Sequence, residues 1–177
     1  EGILTPVSKR FGLGDIAPDM EQGNMRVKRI IDPKEEITIA FVGKYLSLKE
    51  YYKSLTEALI HAGANLDTKI EIKWCDSEEI EAVGSQKVLK DVDGILVAGG
   101  FGERGVRGKM EAIGYAREHK IPFLGICLGM QLSLIEFARN VLNIKDANST
   151  EFDPSTKRPV VYMIDEFQEQ EGKKKIP

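Results

Sequence analysis

The chain contains little cysteine and little histidine. Its 177 residues include two residues of each type. The cysteines, Cys75 and Cys127, stand 52 positions apart, which is neither a zinc-ligand spacing nor a dense pattern of pairs. The sequence therefore indicates neither a disulfide framework nor a metal centre. We expect a reducing compartment and take Cys75, which follows a strand-like segment, as structural.

Long apolar runs and dense basic clusters are also missing. No stretch approaches the roughly 18 apolar residues of a membrane-spanning helix, and the residues from Glu1 to Ile3 do not resemble a signal peptide. The longest basic run, Lys173 to Lys175, has the character of a solvated tail, and the formal net charge is −3. We therefore expect no membrane partner, no nucleic-acid partner and a cytoplasmic location.

What the sequence does contain is a regular alternation of strand and helix patterns from Ile37 onward. Short apolar runs predict strands, and segments with helical apolar spacing separate them. This alternation is typical of an α/β fold with an open, mostly parallel sheet and helices on both faces, as in flavodoxin-like proteins. The expected strands are 37–42, 68–74, 94–98 and 121–126, and the expected helices are 48–61, 77–90 with Ser77 as N-cap, 106–119 and 128–142.

The ends of the chain differ from this regular part. Glycines and prolines interrupt any long periodicity in residues 1–36, which we interpret as an interdomain linker with short helices around 6–11 and 25–31. Residues 37–177 are then one domain. Its last segment, 162–177, is polar and is expected to be irregular.

Cys127 lies between an apolar run, 121–126, and a helical pattern, with Gly125 and Gly129 on either side. The run predicts a buried strand, so Cys127 is placed at a strand-to-helix corner. Such a corner exposes a side chain at the carboxyl edge of the sheet and offers backbone N–H groups to an oxyanion. The corner predicts a nucleophile, and a buried cysteine that packs as a small apolar residue is the alternative.

A glycine-rich loop, residues 99–105, follows the strand predicted at 94–98. Its glycines lie at 99, 100, 102 and 105, which matches neither a G-x-G-x-x-G nor a P-loop motif. Such a loop can present bare N–H groups. Because the carboxyl ends of parallel strands meet at one edge of a sheet, we expect this loop beside Cys127. Together the two features favour an acyl-transfer site.

Neither histidine is expected to act as a base for Cys127. His119 ends the helix that leads into the strand before Cys127, so it lies on the order of 16 Å away, at the far end of that strand. His61 ends a helix that runs back to the same far side. Both are outside hydrogen-bond reach of the sulfur.

The segment Gly125 to Gln131, GICLGMQ, resembles the nucleophile motif of class I (triad-type) glutamine amidotransferases. Segments 42–45, 99–105 and 146–152 are similar to those family members whose glutaminase domain supplies ammonia for the ATP-dependent amination of UTP to CTP. Residues 8–13 are similar to the linker between the two domains of such enzymes. The resemblance fades after about residue 161.

The resemblance implies a role for Cys127 and for several neighbours. Cys127 would attack the side-chain amide of L-glutamine, form a thioester and release ammonia, while N–H groups of Gly100 and Leu128 hold the oxyanion. The Glu151 carboxylate suits the substrate's α-ammonium group. The implied glutamine-binding residues are Gly100, Leu128, Gly129, Met130, Gln131 and Glu151.

The resemblance also implies parts that this sequence does not contain. A synthetase domain that binds UTP and ATP with Mg²⁺ is expected before Glu1, and the triad His and Glu and the substrate-binding Arg are expected beyond Pro177. GTP is the implied allosteric effector, for which Arg104 is a candidate contact, and a homotetramer is the implied assembly. We expect no cofactor and no metal in this domain, and little turnover from the chain alone.

Two other functions remain open at this point. One is a flavodoxin-like cysteine hydrolase or peptidase that uses the same corner, although the segment Asn148 to Phe152 argues against it. The other is a noncatalytic regulatory domain that keeps the fold and the thiol.

Overall fold

The computed structural model describes residues 2–14, 19–44, 49–163, 166–169 and 172–175. The chain divides into two compact units, one of residues 1–36 and 54–70 and one of residues 37–53 and 71–177. The interpretation of 1–36 as an interdomain linker stays a prediction. No helix in the described ranges is long and apolar enough to cross a membrane.

The elements in chain order are α1 (Leu4–Phe11), α2 (Glu21–Ile31), β1 (Glu35–Gly43), a 3₁₀ turn (Lys49–Tyr52), α3 (Lys53–Leu66), β2 (Thr68–Asp76), α4 (Ser77–Val83), α5 (Ser85–Leu89), β3 (Gly94–Val97), α6 (Val106–His119), β4 (Phe123–Gly125), α7 (Leu128–Asn140), β5 (Ala147–Ser149), β6 (Arg158–Val161), β7 (Glu166–Glu169) and β8 (Gly172–Lys175).

Four strands form the main sheet in the order β2-β1-β3-β4. Strands β1 and β3 are parallel, with Val42 opposite Val97, and β3 and β4 are parallel, with Val97 opposite Gly125. This arrangement confirms the predicted α/β class with a mostly parallel sheet. Because β3 and β4 run in the same direction and in register, the segments that follow Val97 and Gly125 leave the sheet at one edge.

The main core of the second unit lies where apolar side chains of β1 and β3 meet those of α4, α6 and α7. Burial of this apolar surface is the principal force that holds the helices on the sheet. The side chains that are almost wholly buried in this core include Ala40, Val42, Ile80, Ile95, Val97, Ala112, Leu132 and Ile135.

The segment predicted as one helix over 77–90 is two helices, α4 and α5. Gly84 separates them with φ of 87°, a backbone conformation that glycine adopts without steric cost. The N-cap also differs from the prediction. The Asp76 side chain, one residue before Ser77, accepts the hydrogen bond from the Glu78 N–H at 2.8 Å.

The prediction of a buried strand before Cys127 is wrong in its burial and its length. Strand β4 covers only Phe123–Gly125, and the side chains of Phe123 and Leu124 are 37% and 55% exposed. The reason is position, since β4 is the last strand of the described sheet and has a neighbour on one side only. An apolar run alone does not distinguish an edge strand from a central one.

In the first unit, α2 and α3 are joined by a hydrogen bond from Arg29 Nη1 to the Asn65 carbonyl at 3.2 Å. Lys34 and Asp67 form a salt bridge of 2.7 Å. Helix α3 continues past the predicted end at His61 to Leu66, and the predicted start at Leu48 lies outside the described residues. Position 63 lies inside this helix and is a glycine because a Cβ there would overlap the Thr68 carbonyl oxygen.

Two small sheets follow α7. Strands β5 and β6 are parallel, and β7 and β8 form an antiparallel pair. The expectation that residues 162–177 are irregular is therefore wrong for 166–169 and 172–175. Polar strands carry little of the apolar alternation on which a sequence-based assignment depends.

Candidate active site

Cys127 connects β4 to α7 in a strained conformation. Its φ is 53° and its ψ is −111°, a combination that side-chain-bearing residues rarely adopt and that costs about 1–3 kcal/mol. The side chain is exposed. The Cys127 carbonyl oxygen accepts a hydrogen bond from the Gln131 N–H at 3.0 Å, so the first turn of α7 begins at this residue.

The two glycines beside Cys127 allow the strand and the helix to pack closely. A Cβ at Gly125 would lie 2.7 Å from the backbone of Gly129 and Met130, and a Cβ at Gly129 would overlap the Val97 carbonyl oxygen. Neither position has room for a side chain. The glycines flanking the thiol therefore fix where α7 begins against β3 and β4.

The glycine-rich loop after β3 lies against the Cys127 corner, as expected. A Cβ at Gly99 would be 3.3 Å from the Cys127 Cβ and 4.0 Å from its Sγ, and a Cβ at Gly100 would be 3.9 Å from the Leu128 Cδ2. Gly100 has a φ of 153°. The structure thus places Gly99, Gly100 and Leu128 around the thiol, while their roles toward an oxyanion stay a prediction.

Lys109 lies beneath this loop and was not assigned from the sequence. Its side chain is fully buried, and its Nζ donates hydrogen bonds to the carbonyl oxygens of Ala98 at 2.8 Å and Gly99 at 3.1 Å. Burial, and next the charge of Lys44, lower the pKa of Lys109 to about 8, while Cys127 acts in the opposite direction.

Lys44 is a second buried lysine at the loop. Its Nζ donates to the Phe101 carbonyl at 2.8 Å and reaches that of Gly102 at 3.5 Å. Its own carbonyl accepts from the Tyr52 hydroxyl at 2.8 Å. Burial is the main cause that raises the pKa of Tyr52. The sequence resemblance included Lys44 but assigned it no role.

One sequence signal could have identified Lys109. It shares a face of α6 with the buried residues Ala112, Ile113 and Ala116, at helical spacing. A lysine on the apolar face of a helix needs a polar partner inside the protein. The pattern does not show which partner it has, and here the partners are two loop carbonyls.

The predicted glutamine-binding residues occupy two elements. Met130 is exposed and Gln131 half-buried on α7, and the exposed Glu151 follows β5, which contacts α7. The Glu151 N–H donates to the Ser149 hydroxyl at 3.1 Å, and within the described parts of the chain its carboxylate makes no ion pair. The carboxylate is thus available to a ligand.

Arg104, the candidate contact for an effector, is bonded to Glu78. Its Nε and its Nη2 donate to the two oxygens of that carboxylate, the latter at 2.6 Å. The guanidinium is the main cause that lowers the pKa of Glu78. The paired geometry orients Arg104 toward α4, and an effector contact stays a prediction.

His119 lies at the end of its helix, as predicted, whereas His61 lies inside α3 and not at its end. His119 is the last residue of α6, where its Nδ1 lies 3.0 Å from the Tyr115 carbonyl and its ring stacks on Tyr115 at 3.9 Å. His61 belongs to α3, in the first unit, where it lines a cavity with Arg26 and Ile30. Neither makes a hydrogen bond to Cys127 among the contacts of the described residues.

A cavity of about 320 Å³ lies between α6, α7 and the segment around β5, separate from the thiol. Its lining includes Arg107, Met110, Leu132 and Phe152 but neither Cys127 nor Gly100. Over the residues whose placement is described, no group of three or more His, Cys, Asp or Glu side chains could hold a metal ion.

Comparison with known proteins identifies the family of this chain. The family model for class-I glutamine amidotransferases matches residues 47–172. The CTP synthase of Wolinella succinogenes is 68% identical over 176 residues, and that of Nautilia profundicola is 60% identical over 179 residues. Each alignment covers 99% of this chain but 32% or 33% of the relative, so the chain spans about a third of their length.

A solved structure is similar in both sequence and fold. The glutaminase domain of Trypanosoma brucei CTPS with bound acivicin is 43% identical to this chain, with a TM-score of 0.67. The alignment covers 73% of this chain and 50% of the Trypanosoma brucei chain. The family match covers the sheet edge, the glycine-rich loop and the cysteine corner described above. The chain therefore belongs to the class-I glutamine amidotransferases.

Proposed function

We propose that this chain is the glutaminase part of a CTP synthase and that Cys127 hydrolyses L-glutamine to supply ammonia. The observation that carries the proposal is the strained, exposed Cys127 directly against the Gly99–Gly100 loop. The match to the glutamine amidotransferase family supports glutamine as the substrate, and the similarity to enzymes called CTP synthase over 99% of the chain supports the use of the ammonia in CTP synthesis.

The proposed reaction has two steps. The Cys127 sulfur attacks the carbonyl carbon of the glutamine side-chain amide, and the resulting oxyanion accepts hydrogen bonds from N–H groups of Gly100 and Leu128. The C–N bond then breaks, the nitrogen takes up a proton and ammonia leaves, which yields a thioester. Water attacks the thioester to release glutamate and restore the thiol.

The remaining groups bind and orient the substrate. The Glu151 carboxylate is suited to the α-ammonium group of glutamine, and Gly129, Met130 and Gln131 line the start of α7 beside the thiol. His119 is engaged with the Tyr115 carbonyl, and no described hydrogen bond joins either histidine to Cys127. We therefore propose that the base is a triad His, with its Glu, elsewhere in the full-length protein. The peptidase alternative has no support from the family match.

The rest of the proposal concerns the full-length protein. We propose that the ammonia passes to a synthetase domain that aminates UTP to CTP with ATP and Mg²⁺. GTP is the proposed effector, a homotetramer the proposed assembly and the cytoplasm the proposed location. These points are supported by the resemblance of the sequence to CTP synthases.

The test is ammonia release from glutamine by the full-length protein and by two cysteine variants. We expect Cys127→Ala to lower kcat at least about 1,000-fold, because it removes the sulfur that forms the thioester. Cys75→Ala is the matched control, since Cys75 is buried away from solvent, and should retain most of the activity. Equal turnover by the Cys127→Ala variant and the unaltered protein would show that the nucleophile is wrongly assigned.

A further inference from the structure

We infer that Lys109 is a positioning residue for the oxyanion site: its buried ammonium group holds the Gly99–Gly100 peptide in the orientation that keeps the Gly100 N–H available beside Cys127. The inference rests on the proposed function, in which that N–H binds the oxyanion. It adds a residue on a different element, α6, to the site.

The contacts of Lys109 show what holds the ammonium group in place. The side chain has no exposed surface, and its Nζ donates to the carbonyls of Ala98 at 2.8 Å and Gly99 at 3.1 Å. In the described part of the chain it forms no salt bridge with a carboxylate. A buried charge is costly unless hydrogen bonds compensate it, so these two carbonyls are its principal stabilising partners.

The geometry of a trans peptide connects this contact to the site. The C=O and N–H of one trans peptide unit point in opposite directions, and the described chain contains no cis peptide bond. Since the Gly99 oxygen points to Lys109, the N–H of Gly100 in the same peptide unit points away from that ammonium group. If the peptide rotated, the carbonyl oxygen would replace the N–H and repel an oxyanion.

Such a rotation needs an external restraint because a glycine stands on each side of the peptide. Glycine accepts backbone angles that other residues avoid, so the steric barrier to reorientation is low. A Cβ at Gly99 would be 3.3 Å from the Cys127 Cβ, closer than most such contacts, so the loop or the corner would have to shift by a few tenths of an ångström. The close approach of loop and thiol therefore favours glycine, and Lys109 restricts the freedom that glycine brings.

Lys44 restrains the following part of the loop in the same manner. Its Nζ bonds the Phe101 carbonyl at 2.8 Å. A Cβ at Gly100 would be 3.5 Å from the Lys109 Nζ and 3.7 Å from the Lys44 Cε. Gly100 thus lies between two buried lysines that bond the carbonyls on either side of it, and no hydrogen bond among the described residues uses its own N–H.

The experiment compares the full-length protein with its Lys109→Met and Lys109→Gln variants. Met fills the buried position but has no hydrogen-bond donor. Gln keeps a donor nitrogen, on a side chain that is one bond shorter than that of lysine. We expect kcat for glutamine hydrolysis to fall about 30-fold or more in the Met variant and about 5- to 30-fold in the Gln variant. The Gln value is below the roughly 100- to 1,000-fold loss for removing an oxyanion donor, because the Gly100 N–H is then misplaced only part of the time. The KM should change less than about threefold in both.

Alkylation of Cys127 by iodoacetamide separates positioning from a structural role. Iodoacetamide reacts with the thiolate, which the nearby Lys109 ammonium group favours, so the rates to compare are the limiting ones, at the plateau of each pH profile. This displacement forms no oxyanion, and we expect the limiting rate to change less than about threefold in the same variants. Ile113→Ala is the matched control. It removes buried packing from α6 without touching the loop, and should lower the unfolding temperature while kcat is retained.

Several results would overturn the inference. One is a folded Lys109 variant with a kcat within threefold of the unaltered protein, and another is a parallel fall in kcat and in the limiting alkylation rate. An equal loss of kcat in Ile113→Ala, or failure of both Lys109 variants to fold, would assign Lys109 to stability alone. If the unaltered protein released no ammonia, the proposed function would fall and this inference with it.

Discussion

At the scale of single residues, the site depends on conformations that most side chains avoid. Cys127 keeps its φ of 53° and ψ of −111° because β4 before it and α7 after it leave the backbone no alternative. Gly125 and Gly129 permit this close arrangement, since a Cβ at either position would meet backbone atoms. The strain holds the thiol at the surface of the corner, where a substrate can reach it.

This strain predicts that a glycine at position 127 stabilises the fold. Cys127→Gly and Cys127→Ala both remove the thiol, but only glycine relaxes at positive φ. The strain of about 1–3 kcal/mol exceeds the entropic cost of glycine, about 0.5–1 kcal/mol. We expect the Gly variant to be about 1 kcal/mol more stable than the Ala variant in urea unfolding. Equal or greater stability of the Ala variant would refute the strain.

The two cysteines should differ strongly in reactivity. Cys75 is fully buried, and burial raises the pKa of its thiol to about 11, whereas Cys127 is exposed. At about pH 8 we expect iodoacetamide to label Cys127 and to leave Cys75 unmodified until urea unfolds the chain. Mass spectrometry of the labelled peptides measures both. Fast labelling of native Cys127→Ala protein would contradict the assignment.

Some residues of the site could be predicted from sequence, and others could not. Cys127 and Gly99 carry local signals, since a thiol between glycines and a glycine cluster after a strand are both visible in a short window. The partners of Lys109 lie ten and eleven positions away and depend on how α6 packs on the loop. Glu136 lies on the same helix as the polar residues Arg139 and Asn140, a pattern typical of an exposed helix face, yet it is buried.

At the scale of elements, the strong periodic segments were predicted well and the exceptions have local causes. The predicted helix over 106–119 coincides with α6. Gly84 divides the helix expected over 77–90, because a single positive φ interrupts the hydrogen bonding that the apolar spacing would support. Strand β4 is exposed because position in a sheet is set by pairing between distant segments.

The packing of α6 on α7 includes an ion pair whose carboxylate is buried. The Glu136 side chain is 3% exposed and accepts from Arg117 at 2.8 Å, while the Arg117 side chain is 31% exposed and also reaches Glu118. We expect Glu136→Ala to lower the free energy of unfolding by about 1–2 kcal/mol, because it removes the main partner of a partly solvated arginine. The exposed Arg107–Glu111 pair on α6 is the control, and Glu111→Ala should cost at most about 0.5 kcal/mol in urea unfolding. Equal costs would contradict this distinction.

The start of α7 should tolerate no side chain at Gly129. A Cβ there would overlap the Val97 carbonyl oxygen, so Gly129→Ala must displace α7 from β3. We expect a loss of about 2–3 kcal/mol in the free energy of unfolding. Gly23→Ala in α2 is the control, since its Cβ would be 3.8 Å from Met20 and helix propensity favours Ala by up to about 1 kcal/mol. A stable Gly129→Ala protein would contradict the close packing.

At the scale of the whole molecule, the chain's two compact units are interleaved in sequence. Residues 54–70 belong with 1–36, although they lie between segments of the second unit. The glycines and prolines before residue 36 predicted a division at that point, but they gave no sign that residues 54–70 belong to the same unit as 1–36. The cause of this grouping is tertiary: hydrogen bonds from Arg29 to Asn65 and from Lys34 to Asp67 join distant segments.

Stability of the whole fold should depend on alkaline pH through Lys109. The pKa of Lys109 falls from 10.5 to about 8 on folding, so between these values the unfolded chain binds more protons than the native one. Linkage then makes the free energy of unfolding rise with pH. Cys75 acts in the opposite sense, because its pKa rises from 9.0 to about 11 on folding. Its contribution to the free energy of unfolding is therefore lost as the pH increases through this range.

The Lys109→Met variant separates the pH effect of Lys109 from that of Cys75. Lys109→Met retains Cys75, so the difference in unfolding free energy between the unaltered chain and this variant isolates Lys109. From about pH 7 to about pH 9.5 we expect that difference to shift by about 1–2 kcal/mol in favour of the unaltered chain, as urea unfolding at each pH measures. A constant difference would mean that Lys109 keeps its ordinary pKa, and hence that water reaches the ammonium group beneath the loop.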